Sequence, residues 1–357
     1  MYKISILSGD GIGPEVMEQT LRILDKIAAK YNHQFEYKPA FIGGVAYDKF
    51  GKHFPDETKE ICQNSDAILF GSVGGPVSKL HEPKWATCER DALLGIRKTF
   101  NFHCNLRPAK VYPELANICP LKKEIVDQGI DLIVVRELLG GLYFGKHEIL
   151  EENGQRLGRD IMEYREEQIK LIAHDGFKIA QKRSKHLTSV DKANVLDCSK
   201  LWRQIIEEVA KEYKDVQYNH MLVDNAAMQL IKNPAQFDVI LTENTFGDIL
   251  SDSAAVLPGS LGLMASASLN KDDFSMYEPS GGSAQDIAGK GIANPIAQIL
   301  SAAMMLKYSF NLLKEANVIE NAVNKTLKDG FRTSDIYSDG TKKVGSKEMT
   351  DEILERI

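Results

Sequence analysis

The stretch Thr242-Glu-Asn-Thr-Phe-Gly-Asp-Ile-Leu-Ser-Asp252 places two carboxylates, Asp248 and Asp252, four residues apart. The apolar run at 239–241 and Gly247 predict that a helix begins here, and a spacing of four then puts both carboxylates on one helix face. Because like charges repel at that spacing, we expect a positive group between them, most economically Mg²⁺ or Mn²⁺ with oxygen ligands. A solvated acidic helix start, in which Asp complements the helix dipole, accounts for the spacing equally well.

The composition is that of a globular protein without a nucleic-acid or membrane partner. A chain of 357 residues with 43% hydrophobic and 26% charged residues is long enough for about two domains. The net charge of −6 argues against nucleic acid as a partner. No stretch approaches the ~20 apolar residues of a membrane helix, and the N-terminus lacks a signal-peptide layout. The five cysteines are scattered and odd in number, which predicts a reducing, cytoplasmic setting without structural disulfides.

Apolar runs alternate with helical patterns along the chain, which predicts an α/β fold with largely parallel strands. Glycine-rich turns follow two of the predicted strands. Residues 3–8 are followed by Gly9-Asp-Gly-Ile-Gly-Pro-Glu15, and residues 67–70 by Gly71-Ser-Val-Gly-Gly-Pro76. Open α/β sheets bind ligands at such strand ends. The first turn reads G-x-G-x-G, not the dinucleotide fingerprint G-x-G-x-x-G, so we interpret it as a tight turn near a ligand. Residues 77–89 show no clear period and are predicted to form a surface loop.

Charged side chains beside the predicted loops suggest an anionic substrate bound next to a divalent cation. Arg grips carboxylate or phosphate through two parallel hydrogen bonds, and aspartates that follow strands supply oxygen ligands. Any one of these arginines, taken singly, is more simply explained as a structural or surface residue. The candidates are Arg97, Arg107, Arg136, Asp224, Asp248 and Asp252.

Two further residues could move protons. Lys192 at a strand end could be a general base if burial or a nearby cation lowers its pKa, although spacing alone favours an ordinary exposed lysine. Tyr143, between Gly-Gly and Gly, could donate a proton, but packing is the commoner role of a loop aromatic.

Seven motifs occur together in one order and resemble the isocitrate/isopropylmalate dehydrogenase family of decarboxylating β-hydroxyacid dehydrogenases. They lie at 9–15, 71–76, 105–110, 136–145, 189–195, 246–252 and 286–295. The resemblance covers essentially the whole chain. It implies a two-domain fold with a large mixed sheet, not a Rossmann fold. Residues 1–103 and 255–357 would form the cofactor-side domain, and residues 104–254 the central domain with the metal ligands and dimer contacts.

The resemblance also implies residue roles. The three arginines would clamp the substrate carboxylates, and the three aspartates would hold Mg²⁺ or Mn²⁺. Lys192 would accept the substrate hydroxyl proton, directly or through water and Asp224, and Tyr143 would protonate the enolate carbon left after loss of CO₂. In the family Lys192 and Asp224 reach the site from the partner subunit, so a homodimer is implied.

The resemblance points to NAD⁺ as the cofactor. Asp286 matches the family position that binds the adenosine ribose hydroxyls, and a carboxylate there repels the 2′-phosphate of NADP⁺. The other implied cofactor positions are Gly75, Glu89, Gly282, Ser283, Ala284, Ile287 and Asn294. Two positions on the cofactor loop depart from the family pattern: Gly281 stands where many relatives have His, and Gln285 where many have Pro.

The implied reaction is oxidative decarboxylation of (2R,3S)-3-isopropylmalate to 4-methyl-2-oxopentanoate, through 2-isopropyl-3-oxosuccinate, in leucine biosynthesis. Leu93, Leu94 and Val195 would line an apolar pocket for the isopropyl group, with Asn194 beside it. Such a pocket would leave the third carboxylate of isocitrate unpaired. A D-malate or tartrate dehydrogenase is the alternative within the family. A non-catalytic regulatory subunit and a metal-dependent dicarboxylate-binding protein are alternatives outside this class of activity.

Overall fold

The computed structural model describes residues 1–272 and 274–357, and its internal contacts divide the chain into two units. The first unit contains Met1–Phe100, Tyr112–Cys119 and Pro258–Ile357, and the second contains Asn101–Val111 and Pro120–Leu257. The sequence placed 101–103 and 255–257 in the cofactor-side domain and 112–119 in the central domain. The contacts instead group 101–103 and 255–257 with the second unit and 112–119 with the first. The assignment of metal ligands and dimer contacts to the central domain stays a prediction.

Strands and helices alternate through most of the chain, which confirms the predicted α/β class. The strands are β1 (Tyr2–Gly9), β2 (Phe35–Pro39), β3 (Ala67–Ser72), β4 (Cys104–Lys110), β5 (Asp131–Glu137), β6 (His147–Glu152), β7 (Gln155–Asp160), β8 (His186–Asp191), β9 (Gln217–Leu222), β10 (Val239–Thr242), β11 (Ala265–Leu269), β12 (Ser275–Pro279), β13 (Phe331–Arg332) and β14 (Lys342–Lys343). The helices are α1 (Gly13–Tyr31), α2 (Gly44–Phe50), α3 (Asp56–Gln63), α4 (Pro83–Ala86), α5 (Gly95–Thr99), α6 (Lys123–Val126), α7 (Glu166–Gln181), α8 (Asp197–Ala210), α9 (Val223–Lys232), α10 (Asn244–Ala255), α11 (Ile296–Tyr308), α12 (Leu313–Lys328) and α13 (Ser346–Glu355).

The first unit is built on five strands of mixed direction in the order β2-β1-β3-β12-β11. β1 runs parallel to β2 and β3, β12 runs parallel to β3, and β11 is antiparallel to β12. β3 is buried along its whole length, as expected of a strand covered on both faces. α1 packs its apolar stripe, which includes Ile23, Leu24 and Ile27, into this core.

The second unit has five strands in the order β4-β5-β10-β8-β9, of which only the β4–β5 pair is antiparallel. The mixed sheet that the resemblance implied is therefore present in both units. α7 packs closely on β10, because Gly176 leaves room for the side chain of Leu241. β6 and β7 form a separate antiparallel hairpin with mostly exposed side chains.

Local predictions held at most elements, and two need correction. Residues 77–89 are not a plain loop: a 3₁₀ turn forms at Val77–Lys79, and α4 begins at Pro83, whose fixed φ suits a first helical turn. Arg107 lies inside β4 and not beside a loop. Asp224 follows β9 by two residues, as predicted, and lies in the first turn of α9.

All five cysteines are free thiols. None of the helices in the described part of the chain has the length and apolar character to cross a membrane.

Candidate active site

α10 presents Asp248 and Asp252 in the second unit, as the opening stretch predicts. The buried strand β10 ends at Thr242, whose hydroxyl donates to the carbonyl of Val190, and the helix begins two residues later. Gly247 is required on this helix, because a Cβ there would lie 2.6 Å from Cγ of Arg136. The glycine lets the Arg136 side chain pass along the helix surface toward Asp248.

Arginine side chains supply the positive charge that the two carboxylates need. Arg107 donates from Nη1 to Oδ1 of Asp252 at 2.7 Å, and its Nη2 lies 3.9 Å from Oδ1 of Asp248. Arg136, which is almost fully buried at the end of β5, donates to the same Oδ1 of Asp248. The Arg107 guanidinium therefore bridges the two aspartates. Their oxygens have the right chemistry for Mg²⁺ or Mn²⁺, and Asp252 remains 71% exposed.

Asn244 fixes the orientation of Arg136. Its Oδ1 accepts hydrogen bonds from Nε and Nη2 of Arg136 at 3.1 and 2.9 Å. Its Nδ2 donates to the carbonyl of Gly140 at 3.0 Å, and its backbone N–H donates to the hydroxyl of Tyr164 at 2.8 Å. Asn244 was not predicted as a site residue, because an Asn at the start of a helix is equally typical of a simple cap.

Tyr143 reaches the same cluster from the loop after β5. Its hydroxyl donates to Oδ2 of Asp248 at 3.0 Å, and its ring is 38% exposed. The turn before it depends on Gly140 and Gly141, because a Cβ at either position would collide with the ring of Tyr164. Partial burial and the Asp248 carboxylate raise the pKa of the Tyr143 phenol above its ordinary value. The phenol therefore stays protonated at neutral pH and can donate a proton.

Lys192 and Asp224 form a second cluster in the same unit. Nζ of Lys192 lies 3.0 Å from Oδ1 of Asp224, and this contact lowers the pKa of the Asp224 carboxyl. The turn that carries Lys192 is fixed by the buried Asp191, whose carboxylate accepts from the backbone N–H of Ala193 and from Arg203. The predicted substrate residues Asn194 and Val195 are exposed on this turn.

The three predicted metal ligands do not form one group within the single chain. Across residues 1–272 and 274–357, no set of three or more His, Cys, Asp and Glu side chains could hold a metal ion. Asp248 and Asp252 lie together on α10, whereas Asp224 lies on α9 and pairs with Lys192. The implied site, in which Asp224 serves the partner subunit, stays a prediction.

Arg97 lies in the first unit, in a buried ion pair. Its Nη2 donates to Oε1 of Glu278 at 3.1 Å, and both side chains are over nine-tenths buried. Glu278 was not predicted, because nothing in its position on an apolar strand distinguishes it from other glutamates. Leu93 and Leu94 are half-buried on the π-helical turn Arg90–Leu94 that precedes α5.

A cavity of about 410 Å³ in the first unit contains several of the predicted cofactor residues. Its lining includes Gly282, Ala284, Ile287 and Asn294. Gln298 also lines it, is 1% exposed, and has neither side-chain amide atom hydrogen-bonded to any residue that the structure describes. This largely apolar cavity is suited to the flat apolar face of a nucleoside.

The remaining cofactor residues lie on neighbouring loops of this unit. Asp286 is exposed, and the carbonyl of the buried Ser283 accepts from the backbone N–H of Ile12 at 2.8 Å. Trp85 covers Gly75, where a Cβ would lie 2.2 Å from the ring. Glu89 is exposed and packs beside Gly74.

Comparison with known proteins agrees with this geometry. The family model described as isocitrate/isopropylmalate dehydrogenase matches residues 3–353. The chain is 56% identical to a 3-isopropylmalate dehydrogenase of Aquifex aeolicus, over 100% of this chain and 97% of that protein. It is 53% identical to the protein of the same name from Geobacter sulfurreducens, over 99% and 98% of the two chains.

Solved structures show the same similarity. An isocitrate dehydrogenase from Methylococcus capsulatus aligns with a TM-score of 0.87 and 32% identity, over 100% of this chain and 99% of that chain. A β-decarboxylating dehydrogenase from Thermococcus kodakarensis, in its apo form, aligns with a TM-score of 0.80 and 33% identity, over 100% and 96% of the two chains. The similarity extends over the whole chain and is not confined to one motif.

Proposed function

The chain belongs to the isocitrate/isopropylmalate dehydrogenase family, and from this membership we propose that it catalyses the NAD⁺-dependent oxidative decarboxylation of 3-isopropylmalate. The product would be 4-methyl-2-oxopentanoate, in leucine biosynthesis. The proposal takes its substrate from relatives at 50–56% identity that carry the name 3-isopropylmalate dehydrogenase.

One observation carries the proposal: two guanidinium groups and a phenol converge on the carboxylates of α10. Arg107 and Arg136 are held by Asp252, Asp248 and Asn244, so they are pre-oriented for an incoming dicarboxylate. Orientation before binding reduces the entropy lost when the substrate is fixed. Carboxylate oxygens for a divalent cation lie within the same cluster. This combination suits a β-hydroxy dicarboxylic acid better than a monocarboxylic acid.

In the proposed reaction, one residue of the chain accepts a proton from the substrate and another donates a proton to the product. When bound, NAD⁺ supplies a hydride acceptor, and Mg²⁺ or Mn²⁺ held by Asp224, Asp248 and Asp252 supplies a Lewis acid. In its uncharged form Lys192 takes the proton of the substrate hydroxyl at Nζ and becomes an ammonium, which Asp224, at 3.0 Å, then stabilises. The Tyr143 hydroxyl gives a proton to the carbon that loses CO₂.

Substrate choice is assigned to apolar side chains. Leu93 and Leu94 in the first unit, and Val195 in the second, are the residues proposed to contact the isopropyl group. Val195 is 64% exposed, so its side chain is accessible to a ligand. Polar side chains at these positions would be needed to balance a third carboxylate.

Cofactor choice is assigned to the cavity of the first unit and to Asp286. The exposed Asp286 carboxylate can accept hydrogen bonds from ribose hydroxyls and repels a 2′-phosphate.

A homodimer with shared sites is part of the proposal. Met228 and Ile231 on α9 are 59% and 65% exposed. Ile249 on α10 is 59% exposed, and Val256, the residue that follows α10, is 54% exposed. Apolar residues at this density on two helices of one unit are typical of a surface that a second subunit covers. We propose the second unit as the domain that carries both the metal ligands and these dimer contacts.

The test is a steady-state assay of NADH formation with Mg²⁺, comparing 3-isopropylmalate, D-malate, tartrate and isocitrate. We expect the highest kcat/KM with isopropylmalate, a strong preference for NAD⁺ over NADP⁺, and loss of turnover in Lys192→Met. A higher kcat/KM with D-malate or tartrate would be consistent with the proposed mechanism, but it would overturn the assignment of Leu93, Leu94 and Val195 to an isopropyl group. Metal-dependent binding without turnover of any of the four would overturn the catalytic proposal in favour of a regulatory subunit.

A further inference from the structure

Gly74 has both of its backbone polar groups held by side chains from other segments. Its N–H donates to Oδ2 of Asp10 at 3.1 Å, and its carbonyl accepts from Nε2 of Gln285 at 2.7 Å. Gly74 is buried and has φ +122°, a conformation that other residues rarely adopt. The peptide chain at this point is therefore fixed from two sides.

Asp10 is a rigid anchor for one of these two bonds. It is 3% exposed, and its carboxylate also accepts from the backbone N–H groups of Gly44 and Val45 at 2.8 and 3.0 Å. Three backbone donors satisfy and stabilise a buried carboxylate. The first glycine turn, residues 9–13, is in this way tied to the glycine loop at 71–76.

Gln285 forms the opposite bond from the cofactor loop, residues 281–287. The preceding residue Ala284 has φ +38°, a left-handed conformation that costs free energy for a residue with a Cβ. The adjoining Ser283 carbonyl is bound by the Ile12 N–H, so the base of the cofactor loop is anchored on the first glycine turn. From this strained turn the Gln285 side chain reaches Gly74.

We propose that Gln285 is a positioning residue for NAD⁺, which holds the cofactor loop against the glycine loop before the cofactor binds. The inference rests on the proposed NAD⁺-dependent function. The two loops carry predicted cofactor residues on both sides of the bond: Gly75 on one, and Gly282, Ser283, Ala284, Asp286 and Ile287 on the other. A loop that is already ordered loses less conformational entropy on binding, so the affinity for the cofactor rises.

The bond requires a side-chain donor of this length. Methionine at 285 has nearly the same length and no donor, and glutamate would place an ionised oxygen against the Gly74 carbonyl. Removal of one partly buried neutral hydrogen bond is expected to weaken NADH binding by about three- to tenfold. Glutamate should weaken it further, because the two oxygens repel each other.

The experiment measures equilibrium NADH binding by fluorescence titration for the wild type, Gln285→Met and Gln285→Glu. Gln181→Met is the matched control, because Gln181 also donates from Nε2, to Asp215 at 2.8 Å, but on an exposed surface of the second unit. Hydrogen exchange of peptides covering 71–76 is measured without cofactor, and thermal unfolding is measured for every variant.

We expect Kd for NADH to rise in the order Gln, Met, Glu, with faster exchange at 71–76 and an unchanged Kd for Mg²⁺-isopropylmalate. A Gln285→Met protein that binds NADH with the wild-type Kd would overturn the inference, even if its Tm were lower, because a purely structural bond affects Tm alone. Absence of NADH binding by the wild type would instead overturn the proposed function, and this inference with it.

Discussion

Tyr143 and the residues around it show how single side chains are prepared for proton transfer and substrate binding. Its phenol is held by Asp248, and its pKa is raised by burial and by that carboxylate. Arg136 is held by Asn244, and Lys192 by Asp224. Each reactive group therefore has a partner that fixes its position.

Replacement of Tyr143 by Phe should remove the proton donor and leave substrate binding nearly intact. We expect kcat to fall by about 10²- to 10⁴-fold, with little change in KM, because general acid catalysis contributes that much to a rate. Tyr218→Phe is the control, since Tyr218 is equally exposed at 38% and should keep wild-type kinetics. A Tyr143→Phe enzyme with more than a tenth of the wild-type kcat would exclude Tyr143 as the donor.

Replacement of Asn244 by Ala should disorder the Arg136 guanidinium. We expect KM for isopropylmalate to rise by about tenfold or more, because hydrogen bonds to a charged group are worth roughly 1.5–3 kcal/mol. Asn219→Ala removes a side-chain acceptor from Thr188 in the same unit and should lower Tm without changing KM. Equal KM values for the two variants would show that Asn244 has no positioning role.

Glu243 should make stability depend on pH. Burial raises its pKa from 4.5 to about 7, and Asp191 and Glu137 contribute to the shift. One carboxylate oxygen accepts from the Ser199 hydroxyl, and the other has no partner among the described residues. Since the folded state holds the proton more tightly, the stability that Glu243 contributes is present below about pH 4.5 and is lost as pH rises to about 7.

Glu243→Gln mimics the protonated acid at every pH. We expect its free energy of unfolding, relative to the wild type, to increase by about 1.4 kcal/mol per pH unit between pH 5 and pH 7, and then to level off. Urea denaturation at several pH values measures this, with the exposed Glu57→Gln as control. Parallel pH profiles for the wild type and Glu243→Gln would show that Glu243 is ionised in the folded protein.

At the level of elements, α9 and α10 carry the apolar faces that the dimer proposal needs. Ile231→Glu introduces a charge on α9 at a position that is 65% exposed in one subunit. We expect this variant to sediment as a monomer and to lose activity, because an unpaired charge at a subunit interface is costly to bury. Val77→Glu, at 85% exposure in the first unit, should remain dimeric and active. A monomeric Ile231→Glu protein with wild-type kcat/KM would contradict a shared site.

The elements that the sequence predicts well are those with a strong local signal. The α10 helix and the glycine turn with Gly9 and Gly11 at positive φ follow from local pattern and from backbone preferences. The short helical turns at 77–86 were missed, because segments of three or four residues show no periodicity.

Partners that join distant segments could not be predicted. Three hydrogen bonds connect residues that are 108 to 211 positions apart: Asn244 with Arg136, Glu278 with Arg97, and Gln285 with Gly74. Local sequence patterns do not reveal such pairs. The charge between Asp248 and Asp252 was expected, but not its source in Arg107. The roles of the site residues were predicted from the family motifs. Composition and spacing alone were equally consistent with structural or surface roles for the same residues.

At the level of the whole molecule, the predicted residues divide between the two units. The cofactor residues and Arg97 belong to the first unit, and the acid, the base and the remaining arginines belong to the second. Within the second unit, Tyr143 and Asp248 form one cluster, and Lys192 and Asp224 form another. We propose that a complete site takes the first cluster from one subunit and the second from its partner.

The most direct measurement of this claim is complementation between Lys192→Met and Tyr143→Phe. Each variant alone should be nearly inactive with isopropylmalate, NAD⁺ and Mg²⁺, because every site in its dimer lacks one residue. After the two are unfolded together and refolded, half of the dimers are mixed and each mixed dimer has one intact site, so about a quarter of wild-type activity should return. No recovery, in a sample where mass spectrometry shows mixed dimers, would contradict the shared site.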